Sequence, residues 1–178
     1  IFDYEGQGPA VILVHGLGLN RSVWDWLISD LKSTFEIFTF DLFGHGDSPE
    51  PPSAPSLSLF SGQILNLLKT VKKSQAAIVG FSLGGMIARR FVHDYPNYVS
   101  ALAILHSPHN RTNTEREAIL ERVRQVEQCG PAATIKPALE RWFTPEFRST
   151  NPKVMEKVRQ WILANDPIVY SKNYRVLA

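Results

Sequence analysis

One cysteine, Cys129, stands among 178 residues, so the chain has no internal disulfide. A lone thiol suits a reducing compartment, and a cytoplasmic setting is expected, with Cys129 packing within a helix. No apolar stretch approaches the ~20 residues of a membrane-spanning helix, so no membrane partner is expected. No leader opens the chain, which begins at Ile1 rather than methionine, and its true start is expected to lie upstream. Charge of one sign is missing too: 19 Lys and Arg face 17 Asp and Glu, which excludes a phosphate-driven nucleic-acid binder. A metal-ligand signature is absent, since His15 and His45 stand in loops and nothing resembles His-Glu-x-x-His. Gly16-Leu17-Gly18 lacks the third glycine of a dinucleotide loop, and no Gly-Lys-Ser/Thr phosphate loop occurs. Neither metal nor cofactor is expected.

What is there begins with four apolar runs. Strands are expected near 11–14, 35–40, 76–81 and 99–105, parallel to one another, with helical patterns between them. The first leads into His15-Gly16-Leu17-Gly18 and the second into Asp41-Leu42-Phe43-Gly44-His45-Gly46-Asp47-Ser48. The third leads into Gly80-Phe81-Ser82-Leu83-Gly84-Gly85, after which Leu83, Ile87 and Phe91 recur at helical spacing. An open α/β sheet would gather these loops at one edge, with Gly16, Asp41, Ser82 and His106 together. A strand-to-helix turn this sharp needs small residues around its centre and lifts a serine hydroxyl above the sheet. Ser82 is the candidate nucleophile; a helix N-cap is the other role for a serine placed so.

The His-Gly-x-Gly loop, the Asp-x-x-Gly-x-Gly-x-Ser loop and the Gly-x-Ser-x-Gly-Gly elbow, in this order, resemble the α/β-hydrolase superfamily over roughly Phe2 to Pro108. The resemblance implies an α/β-hydrolase fold, a mostly parallel sheet with helices on both faces. It implies an oxyanion hole from the backbone N–H groups of Leu17 and Leu83, and a loop-ordering role for His15, Asp41 and His45. The family's triad runs Ser, acid, His, and here the later residues do not supply it. His93 and Asp94 end a twelve-residue helix, roughly 18 Å long, and are expected to be a solvated terminus. His106 would reach the edge shared with Ser82 as a lining, substrate-contacting residue, with no acid placed to orient it.

From 109 to 178 the pattern is helical throughout. Thr114 and Glu117 read as a capping box ahead of Ile119, Val123 and Val126; three more helices follow, at Ile135 to Phe143, from Asn151-Pro152 and from Asp166-Pro167. Residues 1–108 are thus expected to be the N-terminal part of the core and 109–178 an inserted helical lid. The family continues with strands that carry the acid and histidine, so the chain is expected to be an incomplete fragment, inactive alone.

Glu140 to Arg148, Asn165-Asp166-Pro167 and Tyr170 further resemble 3-oxoadipate enol-lactonase lids. Residues 109–178 hold 12 basic and 8 acidic side chains, against 7 and 9 in residues 1–108, so Arg141 and Trp142 are candidate contacts to an anionic acyl group. What the resemblance implies is a serine hydrolase that opens a small ester or lactone through an acyl-enzyme. A perhydrolase or haloperoxidase, a carbon–carbon bond hydrolase, and a non-catalytic ligand receptor on the same fold are the alternatives.

Overall fold

The computed structural model describes residues 1–178, which divide into two compact units, Ile1–Asn110 and Arg111–Ala178. In the first, the strands β1 (Phe2–Glu5), β2 (Ala10–Val14), β3 (Glu36–Phe40), β4 (Ala76–Phe81) and β5 (Val99–Leu105) form one sheet in the order β1-β3-β2-β4-β5. The four expected strands pair parallel, Ile12 lying opposite both Phe38 and Ile78, and Ile78 opposite Leu102. Their connections are α1 (Asp25–Leu31), α2 (Leu57–Thr70) and α3 (Leu83–Asp94). β1 is the exception: it runs antiparallel on the outer side of β3, with Phe2 opposite Phe40.

β2 is buried on both faces because helices cover both. On one face Val11, Leu13 and Ile37 pack with Trp24, Leu27, Ile28 and Leu31 from the 3₁₀ turn Arg21–Trp24 and from α1. Alternation sends Ile12, Phe38 and Ile78 to the other face, the side of Phe60 and Ile64 from α2 and Ile87 and Phe91 from α3, all fully or nearly fully buried. Each such side chain contributes ~1.5–3 kcal/mol on burial, which makes β2 the rigid centre of the unit. β5 differs: it is an edge strand with Leu102 and Leu105 each about two-fifths exposed, at 41% and 40%.

The second unit holds α4 (Asn113–Cys129), α5 (Ala132–Trp142), α6 (Pro145–Thr150), α7 (Pro152–Leu163) and α8 (Pro167–Arg175). That is five helices where four were expected. The capping box sits at Thr112 and Glu115 rather than Thr114 and Glu117: Thr112 Oγ1 accepts from Glu115 N at 3.3 Å, and Glu115 Oε2 accepts from Thr112 N at 2.7 Å. Both pairs fit the pattern, and the earlier start adds backbone hydrogen bonds such as Arg116 N to Thr112 O. Pro137 lies inside a continuous α5. Cys129 is exposed, against the expected helix packing, because the buried stripe Ile119, Val123, Val126 ends a turn earlier and Gly130 follows at once.

Candidate active site

Ser82 joins β4 to α3 with φ 54° and ψ −115°, a conformation that costs a non-glycine residue ~1–3 kcal/mol. The neighbours dictate it. A Cβ on Gly84 would stand 2.1 Å from the Val14 carbonyl oxygen, and one on Gly80 2.3 Å from that of Gly84, so the elbow packs backbone against backbone. The Ser82 N–H donates to Leu105 O at 3.0 Å, which extends the β4–β5 ladder by one residue and fixes the strained turn. Ser82 occupies the N-cap position, yet its hydroxyl makes no capping hydrogen bond. The capping role is therefore not taken up, and Ser82 as a residue is half-buried.

The loop after β2 lies directly against this serine: a Cβ on Gly16 would be 3.2 Å from Ser82 Cβ. Leu17, the next residue, turns its side chain inward at 8% exposure, and Leu19 N donates to Gly16 O at 3.3 Å to close the turn. Leu83 is fully buried at the first position of α3, where helix geometry provides no partner for its N–H. The backbone N–H groups of Leu17 and Leu83 belong to the residues that follow Gly16 and Ser82 at this contact. Two such donors and a helix N-terminus could stabilise a negative charge that develops on a carbonyl oxygen.

His15, Asp41 and His45 stand behind that loop, all buried. His15 Nε2 accepts the Leu42 N–H at 3.0 Å, so its proton resides on Nδ1, which donates to Gly16 O at 2.8 Å. Both ring nitrogens are consumed by backbone, which leaves neither for proton transfer or metal ligation. His45 packs edge-on against His15 at 5.2 Å between ring centroids, and its Nδ1 faces Phe43 O at 3.2 Å. Burial pushes the His15 pKa down to about 4, helped by the Arg21 charge; burial and then His15 push that of His45 down to about 3. No group of three or more histidine, cysteine, aspartate or glutamate side chains is placed to hold a metal ion.

His106 follows Leu105, whose carbonyl receives the Ser82 N–H, so it starts at the same sheet edge. It is exposed, with φ 46°, and no carboxylate is bonded to it. His93 is exposed at the far end of α3. Asp94 is not the solvated carboxylate expected there: at 17% side-chain exposure it accepts from Arg90 Nε at 2.8 Å and from Ser61 Oγ at 3.3 Å. That makes it a tie between α2 and α3. Arg141 and Trp142 belong to the second unit, both exposed at the end of α5, with Arg141 Nη1 3.5 Å from Pro137 O.

Two residues without a sequence signal complete the site. Gln63 of α2 donates to Asp41 O at 2.8 Å and accepts from Phe43 N at 3.2 Å, clamping the loop after β3. Arg21 gathers Asp3, Asp41 and Asp47 around one guanidinium. Burial opposes its charge, but the three carboxylates hold its pKa above the ordinary arginine value. Its partners lie 18 to 26 residues away, beyond any local pattern.

Comparison with known proteins places these features in context. The chain is 26% identical over 175 residues to the (E)-2-((N-methylformamido)methylene)succinate hydrolase of Acinetobacter baylyi, covering 98% of this chain and 65% of that protein. It is 26% identical over 154 residues to 3-oxoadipate enol-lactonase 2 of the same organism, covering 86% of this chain and 57% of that one. The chain thus spans less than two thirds of the length of these curated relatives. The solved enol-lactonase from Burkholderia xenovorans LB400 superposes with a TM-score of 0.93 at 23% identity, over 99% of this chain and 69% of that structure, which shows a shared fold. The family model described as alpha/beta hydrolase fold matches residues 9–143, and the chain belongs to that family.

Proposed function

We propose that this chain supplies the nucleophile and the oxyanion donors of a serine hydrolase acting on a small carboxylic ester or lactone. The observation that carries the reading is the strained, half-buried Ser82, whose hydroxyl makes no capping bond and whose Cβ is set against the Gly16 loop. Strain of this kind persists only where the surroundings enforce it, and it collects at reactive positions.

In this mechanism Ser82 Oγ attacks the carbonyl carbon while a base takes its proton. Charge forms on the carbonyl oxygen against the Leu17 and Leu83 N–H groups, the ester C–O bond breaks, and the departing alcohol takes up the proton. Water then attacks the acyl-enzyme and releases the acid. His15 is excluded as base because both of its ring nitrogens are engaged with backbone, and His45 is fully buried, where burial lowers its affinity for a proton. The base and its orienting acid are assigned to the remainder of the whole protein. The relatives' names, a succinate-derivative hydrolase and an enol-lactonase, favour a carboxylated substrate.

The test is Ser82→Ala in the whole protein with an activated ester and a small lactone. Turnover should fall about a thousandfold or more, since members of such a constellation act as a unit. Turnover unchanged in Ser82→Ala would refute the assignment. Non-catalytic ligand binding is the second reading, favoured by His106 standing at this edge without a carboxylate. It predicts no measurable turnover in the whole protein with Ser82 intact.

A further inference from the structure

We propose that Arg21 is a positioning residue for the oxyanion loop, holding the end of residues 15–20 opposite to the one that His15 holds. The proposal rests on the role given above to Ser82 and Leu17 and goes beyond it, because Arg21 adjoins none of the reacting groups.

The loop that presents Leu17 leaves β2 at His15 and enters the 3₁₀ turn at Arg21. At its start, the His15 ring accepts the Leu42 N–H. At its end, the Arg21 N–H donates to Asp41 Oδ1 at 2.7 Å and the guanidinium Nη1 donates to Asp41 Oδ2. Both anchor points, Asp41 and Leu42, are consecutive residues on the segment leaving β3. The loop is therefore stapled at two ends to one rigid strand terminus, itself clamped by Gln63. Between the staples lie glycines 16 and 18 and a closing hydrogen bond from Leu19 N to Gly16 O at 3.3 Å, so the two ends contribute to fixing the shape of the loop.

Arg21 is suited to this by its planar fork. Nε donates to Asp3 Oδ2 at 2.5 Å and Nη2 to Asp47 Oδ2 at 2.9 Å, so one side chain ties β1, the loop after β2 and the loop after β3 together. Asp3 and Asp47 are well exposed, but the Asp41 side chain is wholly buried, and Arg21 is the cation bonded to it. A lysine would keep a charge near Asp41, but its donors share one compact nitrogen and do not span Asp3, Asp41 and Asp47 as the fork of Nε, Nη1 and Nη2 does.

An oxyanion donor acts where charge develops, in the transition state, so loosening it lowers kcat and leaves substrate binding nearly unchanged. Three variants of the whole protein test this: Arg21→Lys, Arg21→Met, and Arg21→Met with Asp41→Asn, the last to avoid an unpaired buried carboxylate if the single change fails to fold. With active sites counted by titration, kcat per site should fall about tenfold in Arg21→Lys and about a hundredfold in the double variant, with KM within about twofold. A trifluoromethyl ketone that forms a tetrahedral adduct should lose affinity by the same factors, whereas the product carboxylate should not. Amide hydrogen exchange at Leu17 and Leu19 should quicken in Arg21→Lys.

Unchanged kcat per site with only fewer active sites would mean a purely structural arginine and would overturn the proposal. So would unchanged exchange at Leu17 and Leu19. Persistent turnover in Ser82→Ala would instead refute the hydrolase reading, while hydrogen exchange still judges the anchoring by Arg21 by itself.

Discussion

At Ser82 the demands of stability and of chemistry oppose each other. Its φ of 54° and ψ of −115° are open to glycine without cost, and no capping bond would be lost on removing the hydroxyl. Ser82→Gly should therefore raise the unfolding free energy by ~1 kcal/mol, seen as a higher urea midpoint, while abolishing turnover in the whole protein. A lower midpoint would mean that the side chain, not function, sustains the elbow. The buried histidines make a second prediction. Their folded pKa values, about 4 for His15 and about 3 for His45, lie below the ordinary histidine value of 6.5, so the unfolded chain binds protons more readily. The associated stability is complete above pH 6.5 and is lost as pH falls toward the folded values, by ~1.4 kcal/mol per pH unit per ring. A protonated His15 would also turn an N–H donor against the Leu42 N–H, breaking the link between the two loops. Urea midpoints at pH 7.5, 6 and 5 should decline steadily; a flat profile would show that neither ring is held neutral. Ser82 could be singled out from sequence because glycines announce a sharp turn. Arg21 could not, since the need for a cation arises only once Asp41 is known to be buried.

Among the elements, those whose burial leaves an apolar run or a helical period were legible and the others were not. β2 and β4 appear as unbroken apolar runs because helices cover both faces, and their parallel pairing follows from the crossover helices between them. β1 has no such mark: its alternate residues are largely exposed, and its antiparallel register on β3 depends on a tertiary contact. α6 spans six residues, too few to display a 3.6-residue period, although Thr144 caps it and Pro145 opens it. At the start of α4 the sequence reading takes Thr114 with Glu117 for the capping box, although Thr112 with Glu115 fits the same pattern. The structure selects Thr112 with Glu115 and makes the outcome measurable: Thr112→Ala should cost ~1 kcal/mol in unfolding free energy, and Thr114→Ala almost nothing. Equal losses in the two variants, followed by urea denaturation, would show that the helix starts elsewhere.

In the molecule as a whole, the sheet edge that carries Ser82 also carries the Gly16 loop and the start of the segment at His106. Four parallel strands meeting one edge make that convergence unavoidable once their apolar runs are aligned. The second unit, all helical, adds charge of the opposite sign to that of the first, 12 basic against 8 acidic side chains from residue 109 onward. Family membership accounts for this architecture, and the proposed reaction depends on one hydroxyl within it. Treating the whole protein with a small organophosphonate and mapping the adduct by peptide mass tests that dependence most directly. The account predicts one covalent adduct per chain, on Ser82, accompanied by loss of turnover and absent from Ser82→Ala. An adduct on another residue, or full turnover after Ser82 is modified, would contradict it.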